Sequence, residues 1–372
     1  MQKQLLVNRE SNLLTLFEEV PKQNPYISSD YNNMKPNTIK TIKTIYPIRQ
    51  DNDGTIDTRF KFNLPLEGFL VNTVIQTTLT CTGDNTNIEE LLGARIFKNI
   101  FLKQNNRIIQ TLTSEYIISR IDDSGSENRD ALIHSTEPED NWNNNTVTVF
   151  TPLFLSVLES KEKLLLNFTS ALEIEIELNL DLNLASPITA LEPVLQCFIN
   201  NHEDSFYKDH ILTFFKEENR SLNYDIHCDE IEVATNSTST TLYLTSNHLV
   251  TSMHFLIKKQ SGHSIHTIDT VAFYNDGEPI FEVSSRLNLF DNAFKDIRHN
   301  AGNRAIVYNF SGSKTNRNNH SGALNLASMS DAKYITVTYP TITQGHVLYV
   351  ICEYLTIIEK DLYGNLFRNI NY

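Results

Sequence analysis

The sequence predicts an all-β chain of two β-sandwich halves, with few short helices and an N-terminal arm. Three observations carry this. Apolar residues alternate with polar ones in run after run, the two-residue period of a strand with one dry and one wet face. Asparagine is unusually common, 41 of 372 residues, and clusters between those runs, as at Asn105-Asn106, Asn143-Asn144-Asn145 and Asn318-Asn319. Its side chain bonds nearby backbone and tolerates left-handed conformations, so many clusters mean many turns and many short strands. Finally, a helical stripe (Phe206, Tyr207, His210, Ile211, Phe214, Phe215) interrupts the strand series near mid-chain.

In chain order, residues 1–48 read as an arm. Leu5, Leu6, Leu13, Leu14, Leu16 and Phe17 could line a short amphipathic helix within it. A first β series spans 49–202, with strands expected at 69–81, 94–103, 107–113, 145–150, 172–184 and 193–199. The clearest is LEIEIELNLDLNL (172–184), which alternates over its whole length. Thr113 can cap a helix over 113–122, and 153–159 is a second helix candidate. Residues 203–217 form a connector. The second β series, 218–372, has strands expected at 224–234, 240–245, 250–258, 268–275, 304–310, 333–339 and 347–358, with a helix candidate at 285–298. Two series of about eight short strands each fit two jelly rolls or two other Greek-key sandwiches. No short repeat relates them, so any relation is one of shape.

Composition narrows the function. At 40% apolar and 20% charged the chain is ordinary globular protein, and its length allows two or three domains. No apolar run reaches the roughly 20 residues of a spanning helix, and no apolar block marks the first residues for secretion. A net charge of -14 argues against nucleic-acid binding, which needs a basic face. The charge is uneven. Residues 1–50 carry seven Lys and Arg against four Asp and Glu, or +3, which leaves -17 on the rest. A mildly basic arm suits an acidic partner or a membrane surface, or is simply a solvated tail.

Chemistry-bearing constellations are scarce. The nucleotide, zinc-protease and hydrolase signatures are missing. Cys81, Cys197, Cys228 and Cys352 lie far apart and read as buried small apolar residues. His263 and His266, three apart in QSGHSIHTID, have no carboxylate or thiol cluster beside them. Glu173, Glu175 and Glu177 could supply a glycosidase carboxylate pair, but fit better as the wet face of a strand. His227 and Cys228 are neighbours on a strand, so they point to opposite faces, a poor nucleophile–base pair. Trp142, in the acidic loop EPEDNWNNN, is either a binding anchor or folded back on its own domain. Six Asn-x-Ser/Thr sequons (Asn144, Asn167, Asn219, Asn236, Asn309, Asn319) are expected mostly by chance in so Asn-rich a chain. No catalytic, cofactor-binding or metal-ligating residue is assigned, and no cofactor is expected.

VTVFTPLFLSVLESKEKLLLNFTSALEIEIEL (147–178), the connector 199–215, HTIDTVAFYNDGEPIFE (266–282), 305–339 and 347–367, taken in that order, resemble the major capsid proteins of nucleocytoplasmic large DNA viruses. VTVFTPLFLSVLESKEKLLLNFTSALEIEIEL (147–178) resembles their polar strand, Pro-containing turn, Leu-rich segment and long alternating strand. The connector 199–215 resembles their acidic turn and short helical passage. HTIDTVAFYNDGEPIFE (266–282) resembles their strand and Asn-Gly turn through Ala272, Asn275, Gly277 and Phe281. Residues 305–339 match best, at Tyr308, Phe310, Ser321, Gly322, Asn325, Leu326, Asp331 and Ala332, and 347–367 resembles the closing strand and Gly-containing tail. The chain is shorter than typical members. Phe154 and Leu155 stand where the family has Trp, and a basic pair after the connector turn is replaced near Ser205 and Tyr207, which points to a divergent lineage such as a smaller or virophage-like virus.

The resemblance implies a double jelly roll of two consecutive eight-stranded jelly rolls, and a non-enzymatic capsid subunit in the virion of an icosahedral DNA virus. It implies that three copies form a homotrimeric, pseudo-hexagonal capsomer. The partners implied are neighbouring capsomers, minor capsid or penton proteins and an inner membrane met through the N-terminal arm, with no sequence-specific nucleic acid. A carbohydrate-binding or receptor-binding β-sandwich protein of the virion is the alternative.

Overall fold

The computed structural model describes residues 38–48, 58–66, 68–83, 91–123, 126–136, 145–159, 164–165, 171–179, 182, 187–202, 220–259, 265–288, 305–310, 322–360 and 366–369. The expected helices at 2–18 and 203–217, and Trp142, lie outside them.

The first half contains β1 (Thr38–Ile45), β2 (Arg59–Asn63), β3 (Phe69–Cys81), β4 (Phe97–Gln104), β5 (Arg107–Thr113), β6 (Thr146–Pro152), β7 (Leu164–Leu165), β8 (Leu172–Leu178) and β9 (Ile188–His202). It also contains helices α1 (Leu92–Arg95), α2 (Ser114–Asp122), α3 (Ser126–Thr136) and α4 (Ser156–Glu159). The second half contains β10 (Arg220–Val233), β11 (Ser239–Tyr243), β12 (Leu249–Lys259), β13 (Ile265–His266), β14 (Thr270–Asn275), β15 (Glu278–Ser284), β16 (Ile306–Asn309), β17 (Leu324–Asn325), β18 (Lys333–Thr338), β19 (His346–Lys360) and β20 (Leu366–Asn369).

Each half is two antiparallel sheets facing each other. Sheet I runs β1-β9-β3-β6 and sheet II runs β2-β8-β4-β5. Sheet III runs β10-β19-β12-β13, with β16 and β17 also on β12, and sheet IV runs β11-β18-β14-β15. The halves repeat one plan. The first strand of each half (β1 or β10) pairs with a long late strand (β9 or β19), which pairs with the third (β3 or β12). The second strand (β2 or β11) pairs with β8 or β18, which pairs with β4 or β14, and that in turn with β5 or β15. This is the strand order of a jelly roll, in which consecutive strands alternate between two sheets. The local signals repeat too. Both β4–β5 and β14–β15 turn through two residues with positive φ, Asn105-Asn106 at 51° and 63° and Asp276-Gly277 at 52° and 83°. That turn type matches the twist of the strands it joins.

The alternation read from the sequence sets the packing. In β8, Leu172, Ile174, Ile176 and Leu178 are buried, while Glu173, Glu175 and Glu177 face outward. One core lies between sheets I and II, with Phe62, Leu70, Ile75, Phe97, Ile174 and Leu195 fully or almost fully buried. A second lies between sheets III and IV, around Phe255, Phe273, Ile335, Val337, Leu348 and Val350.

Two expectations are corrected and one is met. The arm expected over 1–48 contains β1, which pairs with β9 from Thr38↔His202 to Ile45↔Leu195. Its isoleucines recur every third residue (Ile39, Ile42, Ile45), which hides the two-residue period. The strand expected over 172–184 ends at Leu178, because Asn179 is buried immediately after it and breaks the alternation. Its side chain donates to the Arg95 carbonyl at 3.0 Å. The helix expected over 113–122 is α2, with Thr113 accepting from the Tyr116 amide at 3.3 Å. Helix α3, SENRDALIHST, has no clean apolar stripe to announce it.

Candidate functional site

The surface where the halves meet is the most elaborated polar constellation in the described residues. Helix α2, with β5 and α4 beside it, covers the outer face of sheet III. Leu256, Ile351, Ile226, Cys228 and Tyr349 on that face join the first half's core, so one apolar cluster spans both halves.

Polar groups are set into this apolar contact. Tyr116 donates its hydroxyl to Glu353 in a short hydrogen bond, and Arg120 Nη1 lies 3.3 Å from the same carboxylate. The Arg120 guanidinium stacks 5.1 Å from the Phe154 ring and 5.8 Å from Tyr116. His254 sits between two hydroxyls, Ser119 Oγ at 2.9 Å from Nδ1 and Ser252 Oγ at 3.0 Å from Nε2. Lys258 Nζ donates to Glu115 Oε1 at 2.7 Å. Asp225 accepts from the Thr111 amide at 3.1 Å and from the Tyr354 hydroxyl at 3.3 Å. Tyr116, Arg120, Glu353, His254 and Asp225 are all buried. Charges taken out of water cost several kcal/mol each unless closely partnered. This seam therefore fixes how the halves sit more than it adds net stability. A cleft of about 600 Å³ opens at its edge, lined among others by Lys98, Asn99, Glu115, Glu230, Lys258 and Tyr349. Its mixed charges select no one ligand chemistry.

The residues singled out in the sequence take structural roles. Glu173 pairs with Lys61 at 2.6 Å, Glu175 with Lys103 at 2.8 Å, and Glu177 with Arg59. They form a charge ladder on the outer face of sheet II, not two carboxylates facing across a cleft. His227 Nε2 contacts Thr245 Oγ1 at 2.8 Å and Asp229 at 3.3 Å. Burial pushes Asp229 up, but the hydrogen bonds from His227 and Thr245 outweigh it and hold its carboxyl below the usual carboxylate range. Burial pushes the Cys197 thiol up to about 12 and raises Cys228 and Cys352 further, which keeps these thiols unreactive. None of the four cysteines forms a disulfide. His263 and four sequons (Asn144, Asn167, Asn219, Asn319) lie outside the described residues, and His266 packs edge-on to His346 with ring centroids 5.5 Å apart. Among the described residues no group of three or more His, Cys, Asp or Glu is placed to hold a metal.

No family model and no curated protein matches the chain. Its structure, however, is similar to solved ones along almost its whole length. PBCV-1 VP54, as fitted into a reconstruction of the virophage Sputnik, superposes with a TM-score of 0.70 at 13% identity, covering 91% of this chain and 98% of that one. The fold is the double jelly roll of major capsid proteins. The Faustovirus major capsid protein gives a TM-score of 0.64 at 8% identity, over 96% of this chain and 97% of its own. The mavirus major capsid protein gives 0.52 at 8%, over 89% and 90%.

The seam was not visible in the sequence. Tyr116 and Glu353 stand 237 positions apart. One local signal did exist: Glu353 in VLYVICEYLTII and His254 in VTSMHFLIK are polar residues inside otherwise apolar strands. Such residues need a buried partner supplied from elsewhere.

Proposed function

We propose that this chain is a major capsid protein, a non-catalytic building block of an icosahedral virion shell, and that three copies close into a capsomer of six jelly rolls. The observation that carries this is the repetition of one strand plan in both halves, joined side by side by a buried seam. A chain of two like units that already pack on each other can continue the same contact into a ring. The double jelly roll shared with the Faustovirus and mavirus major capsid proteins supports the same reading. In the shell, capsomers would meet one another and minor or penton proteins. Residues 1–37, which precede β1, would reach neighbouring capsomers or an inner membrane.

Light scattering after size exclusion tests this. The full chain should give three times 42.6 kDa, about 128 kDa. A chain starting at Thr38 keeps β1 whole and should give the same trimer while failing to assemble further. A monomer at all concentrations contradicts the capsomer, and a truncated chain that cannot trimerise contradicts the role given to residues 1–37.

A further inference from the structure

One histidine lies in the buried contact between the halves, and its surroundings fix which ring nitrogen carries the proton. His254, on β12, is 1% exposed and meets Ser119 of α2. Ser119 Oγ donates its one proton to the Tyr116 carbonyl at 2.8 Å. It must therefore accept from His254, so Nδ1 carries the ring proton across the 2.9 Å contact. The neutral ring leaves Nε2 bare, and Ser252 Oγ donates to it at 3.0 Å. A neutral imidazole satisfies this chain of hydrogen bonds and a charged one does not. Its second N–H would point at the proton of Ser252, which would have to turn away into buried surroundings.

The charged groups around the ring are already matched to one another. Arg120 of α2 lies 3.3 Å from Glu353 of β19, and Glu115 of α2 lies 2.7 Å from Lys258 of β12. Tyr116, whose ring centroid is 5.4 Å from that of His254, gives its hydroxyl to Glu353. Asp122, buried one turn beyond Ser119, makes neither of the two bonds to the ring nitrogens. The ladder neighbours of His254 are Val307 of β16 and Ile351 of β19, both apolar. Both ring nitrogens thus meet uncharged hydroxyls. A second proton on His254 would add a buried positive charge near Arg120, with Glu353 engaged twice already.

We infer that His254 is an acid-sensitive latch between the halves: the neutral ring closes α2 onto sheet III, and protonation opens that contact. The sign follows from linkage. The opened chain takes up a proton at His254 that the closed seam refuses, so the closed form loses stability as pH falls. An ordinary imidazole gains its proton at about pH 6.5, so the loss begins there and grows below it. His254, Ser119 and Ser252 belong to one chain, so the latch is independent of the ring proposed above. A subunit built this way holds its two halves firmly at neutral pH and loosens them in mild acid.

The test compares the full-length wild type with His254→Asn, whose side chain keeps a donor near the place of Nδ1 and cannot take up a proton. Denaturant titration at about pH 7.5 and about pH 5.5, where carboxylates stay ionised, reads the unfolding constant of each. Between these values the constant of the wild type should rise about tenfold more than that of the variant, the effect of one proton. Equal rises overturn the inference. If His254→Asn fails to fold, hydrogen exchange of the wild type over the same pH range decides. Corrected for the intrinsic pH dependence of exchange, the protection of α2 should fall in acid while that of β8, in sheet II, holds. A change shared equally by α2 and β8, or seen in neither, overturns the latch.

Discussion

Replacing Gly93 with valine should abolish stable folding of the first half. A Cβ at this position would stand 2.2 Å from the Phe150 carbonyl oxygen and 3.0 Å from its carbon. Both are backbone atoms of β6, so no side chain can rotate out of the way. The Cα of Thr136, the last residue of α3, is 3.1 Å away on another side. Thr151 donates its hydroxyl to the Gly93 carbonyl, which holds α1 against β6. The flanking residues, from Leu91 to Phe97, are all buried. Overpacking of this kind costs about 3 kcal/mol or more, because β6 must move away from both β3 and α1. Gly277→Ala is the control. Its Cβ meets nothing, and only its φ of 83° is strained, so it should cost about 1 kcal/mol. Denaturant titration separates them. A Gly93→Val protein as stable as Gly277→Ala would mean that α1 is not pressed on β6 as described.

Glu353→Ala should cost about 3 kcal/mol and loosen the two halves from each other. The Glu353 carboxylate accepts from Tyr116 and pairs with Arg120, both on α2, and Thr251 donates to its own carbonyl at 3.1 Å. Its removal leaves a buried guanidinium without that carboxylate, and buried charge is costly when a partner is withdrawn. Glu353→Gln keeps an acceptor for Tyr116 and should fall between wild type and alanine. Because one apolar cluster runs through the seam, the wild type should unfold in a single transition. The alanine variant should show an earlier or split transition by calorimetry. A single transition at the wild-type temperature would show that the seam polar groups carry little of the coupling between the halves.

Much of the fold was legible because its signals are local. Strands β3 and β5 lie where alternation placed them, at Phe69–Cys81 and Arg107–Thr113, and Thr113 announced α2. The division into two β series is mirrored in the four sheets. What escaped was non-local or disguised. Strand β1 hides its period behind isoleucines three apart, and a five-residue strand such as β2 is too short to stand out from its flanks. The likeness of the halves leaves little trace in residue identity: aligned on the bulges between Leu70 and Asn72 and between Val250 and Ser252, His254 answers to Val74 and Glu353 to Phe198, although Cys197 and Cys352 coincide. It resides in bulge positions and pairing register, which appear only when strands are laid side by side. The seam was invisible for the same reason, and the glutamates of β8 drew notice for a pattern that ion pairing on a solvated strand explains.

Direct imaging of the purified protein by single-particle electron microscopy tests the central claim most directly. A ring of three copies should appear in projection as a hexagonal outline of six lobes with threefold symmetry, alternating between the two kinds of half. Isolated two-lobed particles, or pairs related by a twofold axis, would contradict it.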